Sequence, residues 1–122
     1  MIEMMPDLPD NVVGFTARGK VTEADYESHI VPAIEEKLKH HKKIRLLYHL
    51  GEDFEGFEAG AMWDDAKVGL KHIAAWEKIA MVSDVGWING AVKAFGFVMP
   101  GEVKTFANSQ LSKARDWVSD SS

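Results

Sequence analysis

Ile44-Arg45-Leu46-Leu47-Tyr48-His49-Leu50 opens the stretch, residues 44–70, on which the reading of the fold turns. This run is rich in residues that fit a pleated, half-buried surface and is the strongest strand signal in the chain. Gly51-Glu52-Asp53-Phe54-Glu55-Gly56-Phe57 then interrupts it with glycines and acids, and reads as an acidic loop. From Ala59 the pattern changes again. Ala59, Met62, Trp63, Ala66, Leu70 and Ile73 recur at the spacing of one helix face, with Asp64 and Asp65 in the early turns where the helix dipole favours acids. Strand, loop and helix in this order form half of a β-α-β unit. In an open α/β sheet, ligands and partners meet the protein at the carboxyl ends of strands. The junction after Leu50 is therefore where function is expected.

On the N-terminal side, Ile2 to Met5 is a short strand, closed by Pro6 and Pro9 among turn residues. Val12 to Gly19 reads as a second strand, antiparallel to the first because so few residues join them. Thr22 followed three positions on by Asp25 is a capping-box start. The helix it opens carries Tyr26, Ile30, Val31, Ala33, Ile34 and Leu38 at three- and four-residue spacing and runs to about His40 or His41. Pro32 inside it removes the hydrogen bond to the Ser28 carbonyl, so a kink is expected there.

On the C-terminal side, Lys78 to Val82 is a short buried strand. Ser83 or Asp84 can cap a helix carrying Ile88, Val92, Phe95 and Met99, which Pro100-Gly101 stops. Glu102 to Phe106 alternates like a half-buried edge strand. Asn108 is placed to cap a last helix with Leu111, Ala114, Trp117 and Val118 inward. The order β-β-α-β-α-β-α-β-α predicts one α/β domain over residues 1–122, built on a single mixed, mostly parallel five-stranded sheet.

Composition narrows the function classes. The chain has 122 residues, 46% of them apolar and 27% charged, the balance of an ordinary globular domain. The net charge of −5 makes a phosphate-tracking nucleic-acid binder an unsuitable reading. Without cysteine there is neither a disulfide framework nor a thiolate metal site. No apolar run has the length of a membrane span. Met1 to Met5 lacks the basic and apolar regions of a signal peptide, so a cytoplasmic location is expected. Glu52, Asp53, Glu55, Glu58, Asp64 and Asp65 follow one another with no base between them, just after the basic group Lys37, Lys39, Lys42, Lys43 and Arg45. Such a dipolar surface can steer a charged partner, and its plain alternative is a solvated surface.

The sequence resembles the SpoIIAA-like group of the STAS superfamily, whose sheet architecture is shared with lipid-binding CRAL-TRIO domains. The resemblance rests on residues 21–26 with Pro32, residues 61–67, Lys78 to Asp84 with Trp87-Ile88, residues 101–106, and residues 114–118. It implies a non-enzymatic binding or regulatory module. In the anti-sigma antagonists a serine or threonine after the third strand is phosphorylated and switches partner binding. This chain departs from that pattern, because no serine or threonine occurs between Ser28 and Ser83. The phosphoserine switch does not carry over.

No catalytic constellation, metal site or cofactor fingerprint emerges. His49, Glu52, Asp53, Asp64, Asp65 and His72 are near in sequence but lack a ligand spacing such as HExxH. His40 and His41 point about 100° apart on a helix and cannot share a metal. There is no G-x-S-x-G elbow, and the glycines form neither GxGxxG nor a Walker pattern. The expected partner-binding residues are Glu52, Asp53, Phe54, Glu55, Phe57 and Glu58, whose rings either fold onto the core or anchor a protein partner or a second copy. The alternative is a pocket for a lipid or small apolar ligand, lined by Trp87, Phe95, Phe97, Val98 and Met99.

Overall fold

The computed structural model describes residues 2–58, 73–97 and 101–120. Five strands, β1 (Ile2–Met4), β2 (Val12–Val21), β3 (Ile44–Phe57), β4 (Trp76–Val82) and β5 (Glu102–Phe106), lie in one sheet in sequence order. β1 is antiparallel to β2, and β2 through β5 are parallel, as the element order predicts. The expected helix stripe over residues 59–73 lies outside the described residues, apart from a 3-10 turn at Ile73–Ala75.

The first helical region spans residues 23–40. Thr22 and Asp25 form the predicted capping box: the Asp25 N–H donates to Thr22 Oγ1 at 3.2 Å and the Thr22 N–H donates to Asp25 Oδ2 at 2.9 Å. The disruption expected at Pro32 falls one turn earlier, as a π-helical turn at Tyr26–Ile30. The Val31 N–H reaches back to the Tyr26 carbonyl, a wider hydrogen bond that adjusts the ladder before the proline's missing donor. A regular helix α1 (Val31–His40) follows. His41, after its end, bonds Asp10 at 2.8 Å. That bond, with Lys37, holds the Asp10 carboxyl below its ordinary value.

Alternation along the strands divides the core in two. On one face, Phe15, Ala17, Tyr48, Leu50, Ile79 and Met81 pack under Tyr26, Ile30 and Ile34, and under Ile88 of helix α2 (Gly86–Gly96). On the other, Val12, Leu47, Ala80 and Val82 pack under Ala114 and Val118 of helix α3 (Leu111–Ser119). Neighbours such as Leu47 and Tyr48 therefore serve opposite faces.

Three local expectations are corrected. The acidic stretch after Leu50 is not a loop, because β3 continues through it to Phe57. Asn108 does not cap the last helix: α3 is preceded by a 3-10 turn, Asn108–Gln110, in which the Asn108 N–H donates to Asp84 Oδ1 and Gln110 Oε1 accepts from the Ala107 N–H. Arg45 is no part of a surface basic patch. It is 7% exposed and donates to Glu77 and to the carbonyls of Val118 and Asp120.

Candidate functional site

β2 and β3 run on together beyond the rest of the sheet. β3 pairs with β4 only as far as His49, while β2 stays beside it out to the Val21–Phe57 pair. Within this arm the register slips twice: Ala17 faces Leu50, Gly19 faces Phe54 and Lys20 faces Gly56. β3 therefore holds extra residues around Glu52-Asp53, a bulge that bends the strand and re-aims its side chains. Gly19 (φ 60°) and Gly56 (φ 132°) supply the positive φ values that these slips require.

The arm sorts the predicted partner-binding residues into two sets. Glu52, Asp53, Glu55 and Glu58 are exposed. Phe54 and Phe57 are half-buried against the core, edge to face with centroids 5.1 Å apart. Of the two fates open to these rings, the inward one is observed. They brace the strand that displays the acids. Asp53 pairs with Arg18 at 3.5 Å, Arg18 pairs with Glu3 at 3.1 Å, and Glu58 accepts weakly from the Glu23 N–H. Glu52 and Glu55 have no ion pair among the described residues.

Of the five residues of the expected apolar pocket, only Trp87 and Phe97 have described side chains. Trp87 is 59% exposed and Phe97 is 92% exposed, so both stand at the surface. Val98, Met99 and the Phe95 side chain lie outside the described residues.

A different concavity adjoins the arm. A cleft of about 460 Å³ is lined by Thr16, Arg18, His49, Gly51, Glu52, Asp53, Asn108 and Leu111. It lies where β2 and β3 outrun α3, on the face that α3 covers further along. Thr16 and His49 are register partners on adjacent strands, and Thr16 Oγ1 lies 3.4 Å from His49 Nδ1. Burial, then the positive charge of Arg18, lowers the His49 pKa below 6.5. Asn108 Oδ1 is buried without a hydrogen-bond partner. Among the described residues no three His, Asp or Glu side chains gather to hold a metal. Of this cleft, sequence reasoning singled out His49, Glu52 and Asp53. It missed Thr16 and Arg18, which only strand register brings beside them.

A pH dependence follows from His49. Its folded pKa lies below the unfolded value, so the unfolded chain binds the proton more readily. The stability His49 contributes is present above about pH 6.5 and is lost as pH falls through its lowered folded pKa. Urea unfolding of His49→Gln between pH 5 and 8 should show a shallower acid-side decline than the native chain. An unchanged slope would separate His49 from that decline.

The comparisons with known proteins agree with this architecture. The SpoIIAA-like family model matches residues 12–119. A solved structure of an uncharacterized protein of the DUF3478 family from Shewanella loihica, described as having a SpoIIAA-like fold, superposes with a TM-score of 0.75 at 29% identity. The match covers 97% of this chain and 92% of that one. None of the curated proteins matches significantly. The family match takes in every strand but β1 and all three labelled helices, and the chain belongs to the SpoIIAA-like family.

Proposed function

We propose that this domain is a non-catalytic binding module that docks a basic segment of a protein partner on the acidic end of β3. The observation that carries the reading is the division of labour along residues 52–58, with rings packed inward and carboxylates outward. A bulged strand fixed to the core presents charge with less ordering cost than a free loop. Glu52 and Glu55, with no ion pair among the described residues, are the groups a cationic partner would neutralise. Rim charges of this kind set encounter rate and specificity and weaken with salt. The apolar-ligand alternative has no comparable observation behind it, because of its five residues only the Trp87 and Phe97 side chains are described, and both are exposed. No helix among the described residues is long and apolar enough to cross a membrane.

The test is titration of the whole chain with a lysine-rich decapeptide and its glutamate-rich counterpart. Only the lysine peptide should bind, more weakly as salt rises, and Glu52→Lys/Glu55→Lys should lower its affinity by about tenfold or more. Equal binding by the reversed variant would remove the arm from consideration.

A further inference from the structure

We infer that a second copy of this chain docks on the outward face of α2, with the two helices antiparallel about a two-fold axis near Val92. The inference goes beyond the docking arm and uses none of its residues.

Three observations carry it. First, α2 is apolar on both sides. Ile88 and Val92 turn toward the core. Trp87, Gly90, Ala91, Ala94 and Phe97 share the opposite side at helical spacing, and all five are exposed. Trp87 is 59% and Phe97 92% exposed, and the Phe97 N–H, just past the helix end, donates to the Ala94 carbonyl at 3.2 Å. Lys93, beside this face, is the one charged residue of α2. Single exposed rings are ordinary, but two on one uncharged face mark an interaction surface.

Second, the face is its own complement. Trp87 and Phe97 stand about 15 Å apart along the helix, with the small residues Gly90, Ala91 and Ala94 between them. A two-fold axis at the level of Val92 sets Trp87 opposite the second copy's Phe97, and Gly90 opposite its Ala94. Such reciprocal pairing is what an isologous dimer requires. The small central residues let the helices approach closely, and a Cβ added at Gly90 meets nothing within 4 Å.

Third, the area sets the strength. At these exposures the two rings offer about 350 Å² per protomer, and two copies about 700 Å². With the small residues and the Lys93 stem added, the face approaches the roughly 1,200 Å² at which specific interfaces begin, so the dimer is weak. Other occupants fit less well. A membrane-surface helix carries several lysines and arginines beside its apolar stripe, and anionic lipid repels a chain of net charge −5. A convex helix face encloses no small ligand.

The experiment is sedimentation equilibrium of the full chain from about 10 μM to about 1 mM. The mean mass should rise from monomer toward dimer with a midpoint near ~100 μM. Added salt should strengthen the association, because it screens the repulsion between two chains of −5 each. Ala94→Lys and Gly90→Glu should each weaken self-association about tenfold or more, by placing like charges in the face. An equimolar mixture of the two variants should associate again, because position 94 faces position 90 across the axis, a recovery that misfolding cannot mimic. A monomer at every concentration, self-association unchanged in Ala94→Lys, or a mixture no better than its components would each overturn the inference. So would uptake of the monomer by phosphatidylcholine vesicles without any dimer. Association that salt weakens would also overturn it, and would place the contact on the acidic arm. The two readings fail separately: loss of lysine-decapeptide binding removes the arm and leaves the α2 dimer, and a chain that stays monomeric removes the dimer and leaves the arm.

Discussion

Replacing Arg45 by alanine is expected to destabilise the fold by about 3 kcal/mol, through loss of a buried stem and of donors to the end of α3. Arg45 lies in β3 at 7% exposure. Its Nε donates to Glu77 Oε1 at 2.5 Å, and its Nη1 donates to the Val118 carbonyl at 2.9 Å and to the Asp120 carbonyl. Three elements, β3, β4 and α3, therefore meet on one guanidinium. The losses are unequal. The Glu77 side chain is 41% exposed and would rehydrate, so its ion pair adds little. The Asp120 carbonyl keeps a longer bond from Lys78 Nζ at 3.4 Å. Among the described residues the Val118 carbonyl has no such reserve, and a buried acceptor left unmade costs about 1–3 kcal/mol. The remainder is the methylene stem, at about 0.8 kcal/mol per buried group. Arg45→Met keeps most of that stem and should cost only about 2 kcal/mol, so the pair separates packing from hydrogen bonding. Urea denaturation of both variants reads the difference. A loss below about 1 kcal/mol in Arg45→Ala would show that Arg45 does not tie these elements together.

Arg45 also marks where sequence reasoning stops. It stood in a run of bases, and its partners lie 32 to 75 positions away, so nothing local distinguished it from Lys42 or Lys43. Lys78 is a second case. The apolar run that follows it places it at the start of a short buried strand, but its 8% exposure and its place over the Trp117 ring at 5.0 Å depend on how α3 crosses the sheet. What was legible was local or periodic. Thr22 and Asp25 are three residues apart and cap as predicted, and Leu47 and Tyr48 alternate between faces as a strand requires. The acidic segment was misread for a physical reason. Glycines and acids are poor strand formers, and the pairing that makes residues 51–57 a strand is supplied by Gly19, Lys20 and Val21 across the chain. The candidate site inherits that limit. Glu52 to Glu58 could be named from composition, but the cleft combines β2, β3 and the turn before α3, which no spacing rule connects.

Gly101→Ala is expected to cost about 2–3 kcal/mol, although it adds a single methyl group to a residue that is not fully buried. Gly101 immediately precedes β5, where the chain passes close over the start of β4. A Cβ built there falls against the Trp76 carbonyl oxygen, 2.6 Å from the Glu77 carbonyl oxygen and 2.9 Å from the Glu77 carbonyl carbon. These are backbone atoms, and β4 is held between β3 and β5, so no rotamer change makes room. β5 must instead move away from its register with β4, beginning at the Lys78–Glu102 pair. The far end of β5 leads through Ala107 to Asn108, so the shift should also loosen the cleft wall. Gly90→Ala provides the control. Gly90 lies within α2, a Cβ there meets nothing within 4 Å, and the better helix propensity of alanine should stabilise the chain by up to about 1 kcal/mol. The same chemical change is thus predicted to have opposite signs at the two sites, which thermal unfolding of the two variants decides. A neutral or stabilising Gly101→Ala would mean that β4 and β5 are not packed as closely as the structure places them.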